Sequence, residues 1–397
     1  MGNRPFGRSR VVHAFASIVL GMSAVAAYGG CSSSTPPDGA APDGGSDTSK
    51  PDTSVPIVDA SDASVEDASE DVAAEAAPPE CDDAGEELPS TLACTGLYSD
   101  WATKTVATSV RQYLPGYQLW SDGAIKTRFI YLPPGTKIDT SDMDEWTFPV
   151  GTKVWKEFRL GSERVETRLF MKTSTGWLWT TYRWTKDEST ATRLDNGEQN
   201  VNGTTYEIPS HSQCNQCHSG RKDFLLGFEA ISLAAAGATG VTLDTLNGQG
   251  WLSTPAPASL LIPEDTSGNA RQALGWLHAN CGAACHNHVG LAKGTGLFLK
   301  VEAKVILADG GTATVKDLDT YKTSVNVKPN LTKYLNDGYM RITPRDVSKS
   351  LIPLLDGSRG DPNVPQMPPL VSHVVDTTGL GWVTTWITTM PLPDAGN

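Results

Sequence analysis

Apolar positions are spaced in four different ways along the chain, and each spacing predicts a different kind of segment. From Val11 to Ala27 they run almost without interruption, behind Arg4, Arg8 and Arg10 and ahead of Gly29, Gly30 and Cys31. A basic start, a short apolar core and small residues at its end predict a secretory signal peptide over residues 1–30. The core is short for a membrane span and no later stretch holds ~18 uninterrupted apolar residues, so no transmembrane helix is expected after processing. Over residues 31–94 apolar positions become sparse among Pro, Ala, Ser and Asp, which predicts a disordered tether.

Between 95 and 209 the spacing changes again, to short runs rich in Trp, Tyr, Thr and Val with turn signals between them, among them Asn196-Gly197 and Asn202-Gly203. Such runs predict strands. Lys126–Leu132 and Lys153–Leu160 are two of them; Val165–Thr173 and Trp177–Thr185 flank Gly176 as a β-hairpin with one buried face. An antiparallel β-sandwich-like domain over 95–209 is the expectation. From about Ser210 the spacing becomes helical, over Phe224–Gly237, Asn269–Asn280 and Gly381–Met390, with Gly/Pro loops between. Two small all-α modules, 210–275 and 276–397, are the expected division, so the fold class reads as multidomain β plus α.

The net charge of -13 adds less than it suggests, because residues 31–90 hold sixteen Asp or Glu against the single Lys50. The remainder from 91 onward is close to neutral and carries no basic stripe, so a nucleic-acid partner is not expected. At 397 residues the chain can bury one or two sizeable cores.

The seven cysteines divide by position. Cys31, followed by three serines, resembles the lipidated residue of a bacterial lipoprotein lipobox, although Tyr28 stands where that motif usually has Leu. A lipid anchor at Cys31 followed by a flexible spacer would hold the protein on a membrane face. Cys81 and Cys94 are expected to form a disulfide in an oxidising export compartment.

Cys214-Asn215-Gln216-Cys217-His218 fits C-x-x-C-H, in which two thiols one helical turn apart bond the haem vinyl groups and the histidine supplies an axial nitrogen. A zinc site or a redox dithiol are the alternatives. Cys281 to His286 has one residue more, C-x-x-x-C-H, with Gly282 and two alanines as a slim loop that could bulge; here the alternative is a Cys281–Cys285 disulfide. Downstream, Met367 stands in Gln366-Met367-Pro368-Pro369, and its thioether is the expected sixth ligand for the second haem, with Met340 as competitor. Between His218 and Trp276 there is neither His nor Met, so the first haem has no distal ligand in its own segment. His278 is the favoured candidate from a field that also holds His211, Met143, Met171, Met340 and Met390.

Leu119-Trp120-Ser121-Asp122-Gly123-Ala124, Trp146–Gly151 and Val165-Glu166-Thr167-Arg168 resemble an exported bacterial family of dihaem cytochrome c-like proteins with an N-terminal β domain. Asn280 with the cysteine motif, Tyr339–Leu351, and Met367-Pro368-Pro369 followed by Trp382–Ile387 resemble its haem region and, more broadly, class I cytochrome c. The resemblance covers about 95–390 and departs from the commoner pattern at the extra residue between Cys281 and Cys285. It implies two haem c groups and a redox partner protein, and assigns no reaction. The expectation is an electron carrier on the periplasmic or cell-surface face of a bacterial membrane. The alternatives are a dihaem peroxidase or haem oxidoreductase with an open first haem, and a surface-binding lipoprotein whose cysteines are only structural.

Overall fold

Where β-branched and aromatic residues follow one another, the backbone extends. The computed structural model describes Cys81, residues 85–257 and residues 260–392. The signal peptide, Cys31 and most of the tether lie outside the described residues. The strands are β1 (Tyr98–Asp100), β2 (Thr105–Val106), β3 (Arg111–Leu114), β4 (Ile125–Tyr131), β5 (Lys153–Leu160), β6 (Glu163–Thr173), β7 (Gly176–Trp184), β8 (Ala191–Leu194) and β9 (Thr239–Gly240). The α-helices are α1 (His211–His218), α2 (Ala230–Ala234), α3 (Leu243–Gly248), α4 (Ala270–Leu277), α5 (Ala303–Ile306), α6 (Asp319–Ser324), α7 (Thr332–Asn336), α8 (Leu351–Asp356) and α9 (Thr377–Thr389). None of the described helices is long and apolar enough to cross a membrane.

Seven strands form one antiparallel sheet in the order β8-β7-β6-β5-β4-β3-β9, and β1 pairs with β2 as a separate ribbon. A single sheet thus replaces the expected pair of facing sheets. The reason lies in the connections: from β3 to β8 the chain always returns beside the strand it has just left, so no strand is passed to a second layer. Two returns are two-residue loops: β5 to β6, where Leu160 opposes Glu163 and Gly161 at φ +61° opens the loop, and β6 to β7, where Thr173 opposes Gly176.

Both faces of this sheet are covered. Phe129, Trp155, Leu169, Met171, Tyr182 and Trp184 point to one side, where Leu92, Leu97, Tyr98 and Val110 pack over them. Ile130, Val154, Phe170 and Trp177 point to the other, against residues from the helical half. The hairpin expected to bury one face therefore buries two, with Tyr182 fully buried on one and Trp177 buried on the opposite one. Burying each such side chain contributes about 1.5–3 kcal/mol, and the two layers give the sheet most of its support.

The helical residues do not stand apart from the sheet. Tyr113, Val154 and Phe170 share one apolar cluster with Phe228, Leu277 and Trp386. The stretches expected to divide at 209/210 and 275/276 thus contribute to a common core, and the described residues form one unit. The bond between Cys81 and Cys94 is formed, with Cα atoms 5.3 Å apart, as the spacing suggests.

Candidate functional site

The first cysteine motif occupies α1. Its start is held by a capping box in which Ser210 accepts from the Gln213 backbone and the Gln213 side chain accepts from the Ser210 N–H at 2.8 Å. One turn of helix then separates Cys214 from Cys217, and His218 closes the helix. The His218 ring stacks on Phe170 of β6, centroids 4.3 Å apart, and its Nδ1 lies 2.6 Å from the Phe224 carbonyl oxygen. A carbonyl can only accept, so Nδ1 carries the proton and the lone pair sits on Nε2, which has no hydrogen-bond partner among the described residues. Burial holds the imidazole down at about 3, so the ring is neutral near pH 7.

Phe224 reaches this position with φ at +62°, a left-handed conformation that strains a bulky side chain. Its neighbour Asp223 holds the turn in place. The Asp223 carboxylate accepts from the Phe148 N–H at 2.6 Å and from Trp177 Nε1 at 2.8 Å, and pairs with Lys172.

The second motif has a different local structure with the same outcome. α4 runs into a π-helical turn over His278–Gly282, in which Ala283 N–H donates to the His278 carbonyl at 2.7 Å. The next bond of this kind, His286 N–H to the Cys281 carbonyl at 2.8 Å, spans the whole motif. Each i→i+5 bond accommodates one residue more than an α-helical turn, so the extra residue of C-x-x-x-C-H is taken up by the widened backbone. His286 Nδ1 then faces the Leu297 carbonyl at 3.3 Å, and Nε2 again lacks a partner among the described residues. Burial lowers this imidazole as well.

The two motifs touch. A Cβ at Gly220 would lie 1.8 Å from the Ala284 carbonyl oxygen, so glycine is required for the approach. Buried Asn287 donates to the Gly282, Ala283 and Gly220 carbonyls and accepts from the Val289 and Gly290 N–H groups. The contact between the Cys217 and Cys285 thiols, with burial behind it, raises Cys217, while the same contact, acting against burial, holds Cys285 down. All four thiols line one cavity of about 190 Å³, and none of the four is in a disulfide. The Cys281–Cys285 disulfide is therefore not the state seen.

The opposite wall of this cleft is the sheet, which contributes Arg128, Lys156, Arg168 and Phe170. A third wall comes from the C-terminal loop, with Pro368, Leu370 and Asp376. The Leu119–Ala124 stretch ties the walls together. Trp120 N–H donates to Asn280 Oδ1 at 2.6 Å, Trp120 Nε1 to the Val374 carbonyl at 2.9 Å, and Asp122 accepts from the His373 and Val374 N–H groups.

Met367 packs on Tyr334, Leu351 and Leu355, half-buried, just ahead of the loop that lines the cleft. That loop is braced by Gln366, whose side chain donates to the Pro368 and Ser372 carbonyls, and by Arg359, which donates to the Met367 carbonyl.

His278 does not suit the ligand role expected of it, and this is a correction. Its Nδ1 accepts from the Val301 N–H at 3.0 Å and its Nε2 faces Glu229 Oε1 at 3.2 Å. With the lone pair and the proton both engaged and the ring buried, no nitrogen is left for iron. Three of the other candidates are committed to packing. Met171 is buried behind the sheet, Met390 is fully buried in the main core and Met143 packs against that core. His211 stacks on Trp179, centroids 4.4 Å apart. The backbone of Met340 pairs with Lys349 and Leu351.

Among the described residues, His288, Glu302 and Asp319 are the one trio of metal-type ligands whose donor atoms lie within 4.8 Å of one another. Among the described residues the cysteines do not converge in this way.

Reading the sequence overlooked several residues that shape the cleft. Burial and the neighbouring cations Arg128, Lys126 and Arg168 push Lys156 well below its ordinary value, and burial brings Lys126 to about 7. Asp356, also in the cleft wall, is pushed up to about 7 by burial. A signal was present in Lys153–Leu160, where Lys156 stands at a core-facing step between Val154 and Phe158. Compared with family models, with curated proteins and with solved structures, the chain finds no match in any of the three.

Proposed function

We propose that this chain is an exported dihaem c-type cytochrome that transfers electrons outside the cytoplasm. One haem would be held by Cys214, Cys217 and His218, the other by Cys281, Cys285 and His286. The observation that carries the reading is the matched state of the two histidines, each with Nδ1 tied to a backbone carbonyl and Nε2 free. Iron-ligating histidines are prepared in this way, because the second nitrogen fixes the ring and its tautomer. The π-helical turn supports the second site, since it gives the extra residue a regular backbone. Bound haem would supply reversible one-electron exchange at iron.

The chain's own residues would do the rest. The Phe224 and Leu297 carbonyls orient the imidazoles, Phe170 supports the His218 ring, and Met367 on its braced loop is the proposed sixth ligand of the second haem. The contact between Gly220 and Ala284 would bring the two haems close enough for exchange between them. A signal peptide and a lipid anchor at Cys31 remain part of this proposal, with the acidic tether as spacer, a redox protein as partner and the periplasmic or cell-surface side of a membrane as location.

A second reading, an oxidoreductase of the dihaem peroxidase kind, is favoured by one observation. His278 has no free nitrogen and Met143, Met171 and Met390 are committed to packing, which leaves only Met340 and His211 of the candidate field and favours an open position at the first haem. The protein produced with a cytochrome c maturation system tests both readings by its reduced absorption spectrum. Two low-spin haems indifferent to cyanide support the carrier, while one high-spin haem that binds cyanide and disappears in Cys214→Ala supports the open site. A colourless protein sinks both, and leaves the surface-binding lipoprotein.

A further inference from the structure

The sheet wall of the cleft holds an arrangement that the two cysteine motifs do not explain. Strand register sets Arg128 of β4 directly opposite Lys156 of β5, and Lys156 directly opposite Arg168 of β6. Lys126 shares their face, two residues from Arg128 along β4. Like charges placed opposite one another across strands destabilise a sheet, and here Arg128 is buried while Lys126, Lys156 and Arg168 are half-buried, which weakens screening by solvent. Such a ladder persists when something of opposite charge answers it.

The protein answers only one rung. Arg168 makes a two-pronged pair with Glu166, at 2.6 and 2.8 Å, and that buried carboxylate also accepts from the Tyr206 hydroxyl. Lys126 donates to the Leu119 carbonyl at 2.6 Å, and Arg128, 4% exposed, donates to Gln118 Oε1 at 3.2 Å. Lys156 makes no hydrogen bond or ion pair with any described residue; its ammonium lies 5.0 Å from the centre of the Phe158 ring. Of the other acidic groups in the wall, Glu229 is engaged with His278, Asp376 with Trp276 Nε1 and the Gly379 N–H, Asp122 with the His373 and Val374 N–H groups, and Glu207 with His373 and Gln213, while Asp356 makes no hydrogen bond or ion pair with the four cations.

We propose that Arg128, Lys156 and Arg168, with Lys126 beside them, form an anion subsite in the cleft that takes carboxylate groups. The Arg128 guanidinium beside the unpaired Lys156 ammonium suits a planar carboxylate, with Arg168, its fork already held by Glu166, on the other flank, and the three rungs line the same cavity as Cys214 and Cys217. The carboxylates could come from a haem held at those cysteines, which rests on the function proposed above, or from a free organic acid, which does not.

The full-length protein and its Lys156→Met and Lys156→Arg variants separate the sources, with succinate as probe. Carboxylates of the haem itself predict that Lys156→Met lowers the midpoint potential of the haem lost in Cys214→Ala and alters its pH profile, that Lys156→Arg restores both, and that succinate changes nothing. A free acid predicts that succinate raises the thermal midpoint saturably, with an affinity about tenfold or more weaker in Lys156→Met. Should the protein prove colourless, the haem reading fails while the succinate titration still decides the subsite. Potential, pH profile and succinate response that are all indifferent to residue 156 overturn the subsite.

Discussion

A single buried carboxyl shows how far the cleft departs from water. Asp356 is 7% exposed and its burial raises it to about 7, against an ordinary value of 3.8. A raised acid means that the folded state keeps a proton that the unfolded chain has already released. Stability is therefore lost as pH rises from about 4 through 7. Asp356→Asn should remove this slope: the variant matches the parent near pH 4 in urea denaturation and exceeds it at pH 8, by up to about 4 kcal/mol. Equal gaps at both pH values would show that this carboxyl does not titrate in the window. Nothing in the local sequence marks Asp356, because its value depends on a cleft assembled from distant segments. His278 carries the same lesson in the other direction. Its place at the start of the second expected module suggested a ligand for the first haem, yet Val301 and Glu229, neither adjacent in sequence, take both its nitrogens.

Among the elements, the strands were legible and their assembly was not. The short run Lys153–Leu160 matches β5 residue for residue, and the runs around Gly176 match β6 and β7 within two residues. A strand's pattern reports its own alternation, however, and says nothing of which residue stands opposite. The cation ladder appears only when Arg128, Lys156 and Arg168 are put in register. The π-helical turn is hidden for a related reason, since the extra residue is visible in Cys281–His286 but the backbone form that absorbs it is not. Contact between the motifs carries a prediction at this scale. Gly220→Ala would drive a methyl group into the Ala284 carbonyl, so denaturant unfolding should show a loss of about 1–3 kcal/mol. An unchanged midpoint would mean that the motifs can part without penalty.

For the whole molecule, the shared core is the decisive feature. The cluster that holds Val154 and Phe170 of the sheet also holds Leu277 and Trp386 of the helices. Sheet and helices should therefore melt together, giving coincident transitions by far-ultraviolet circular dichroism and by tryptophan fluorescence. Two separated transitions would instead describe independent domains. The division expected at 209/210 followed the change from strand to helix spacing, and the one at 275/276 gave each cysteine motif its own helical module. What composition could not reveal is that the cleft needs both parts, with thiols from the helical half and cations from the sheet.

The claim most central to this account is one haem at each cysteine motif. Intact mass of the exported protein, matured with the cytochrome c machinery and compared with Cys214→Ala and Cys281→Ala, tests it directly. The account predicts two haem increments on the parent chain and one on each variant. A single increment that vanishes with Cys214→Ala and survives Cys281→Ala would contradict the second site, and an unmodified parent chain would contradict the whole reading.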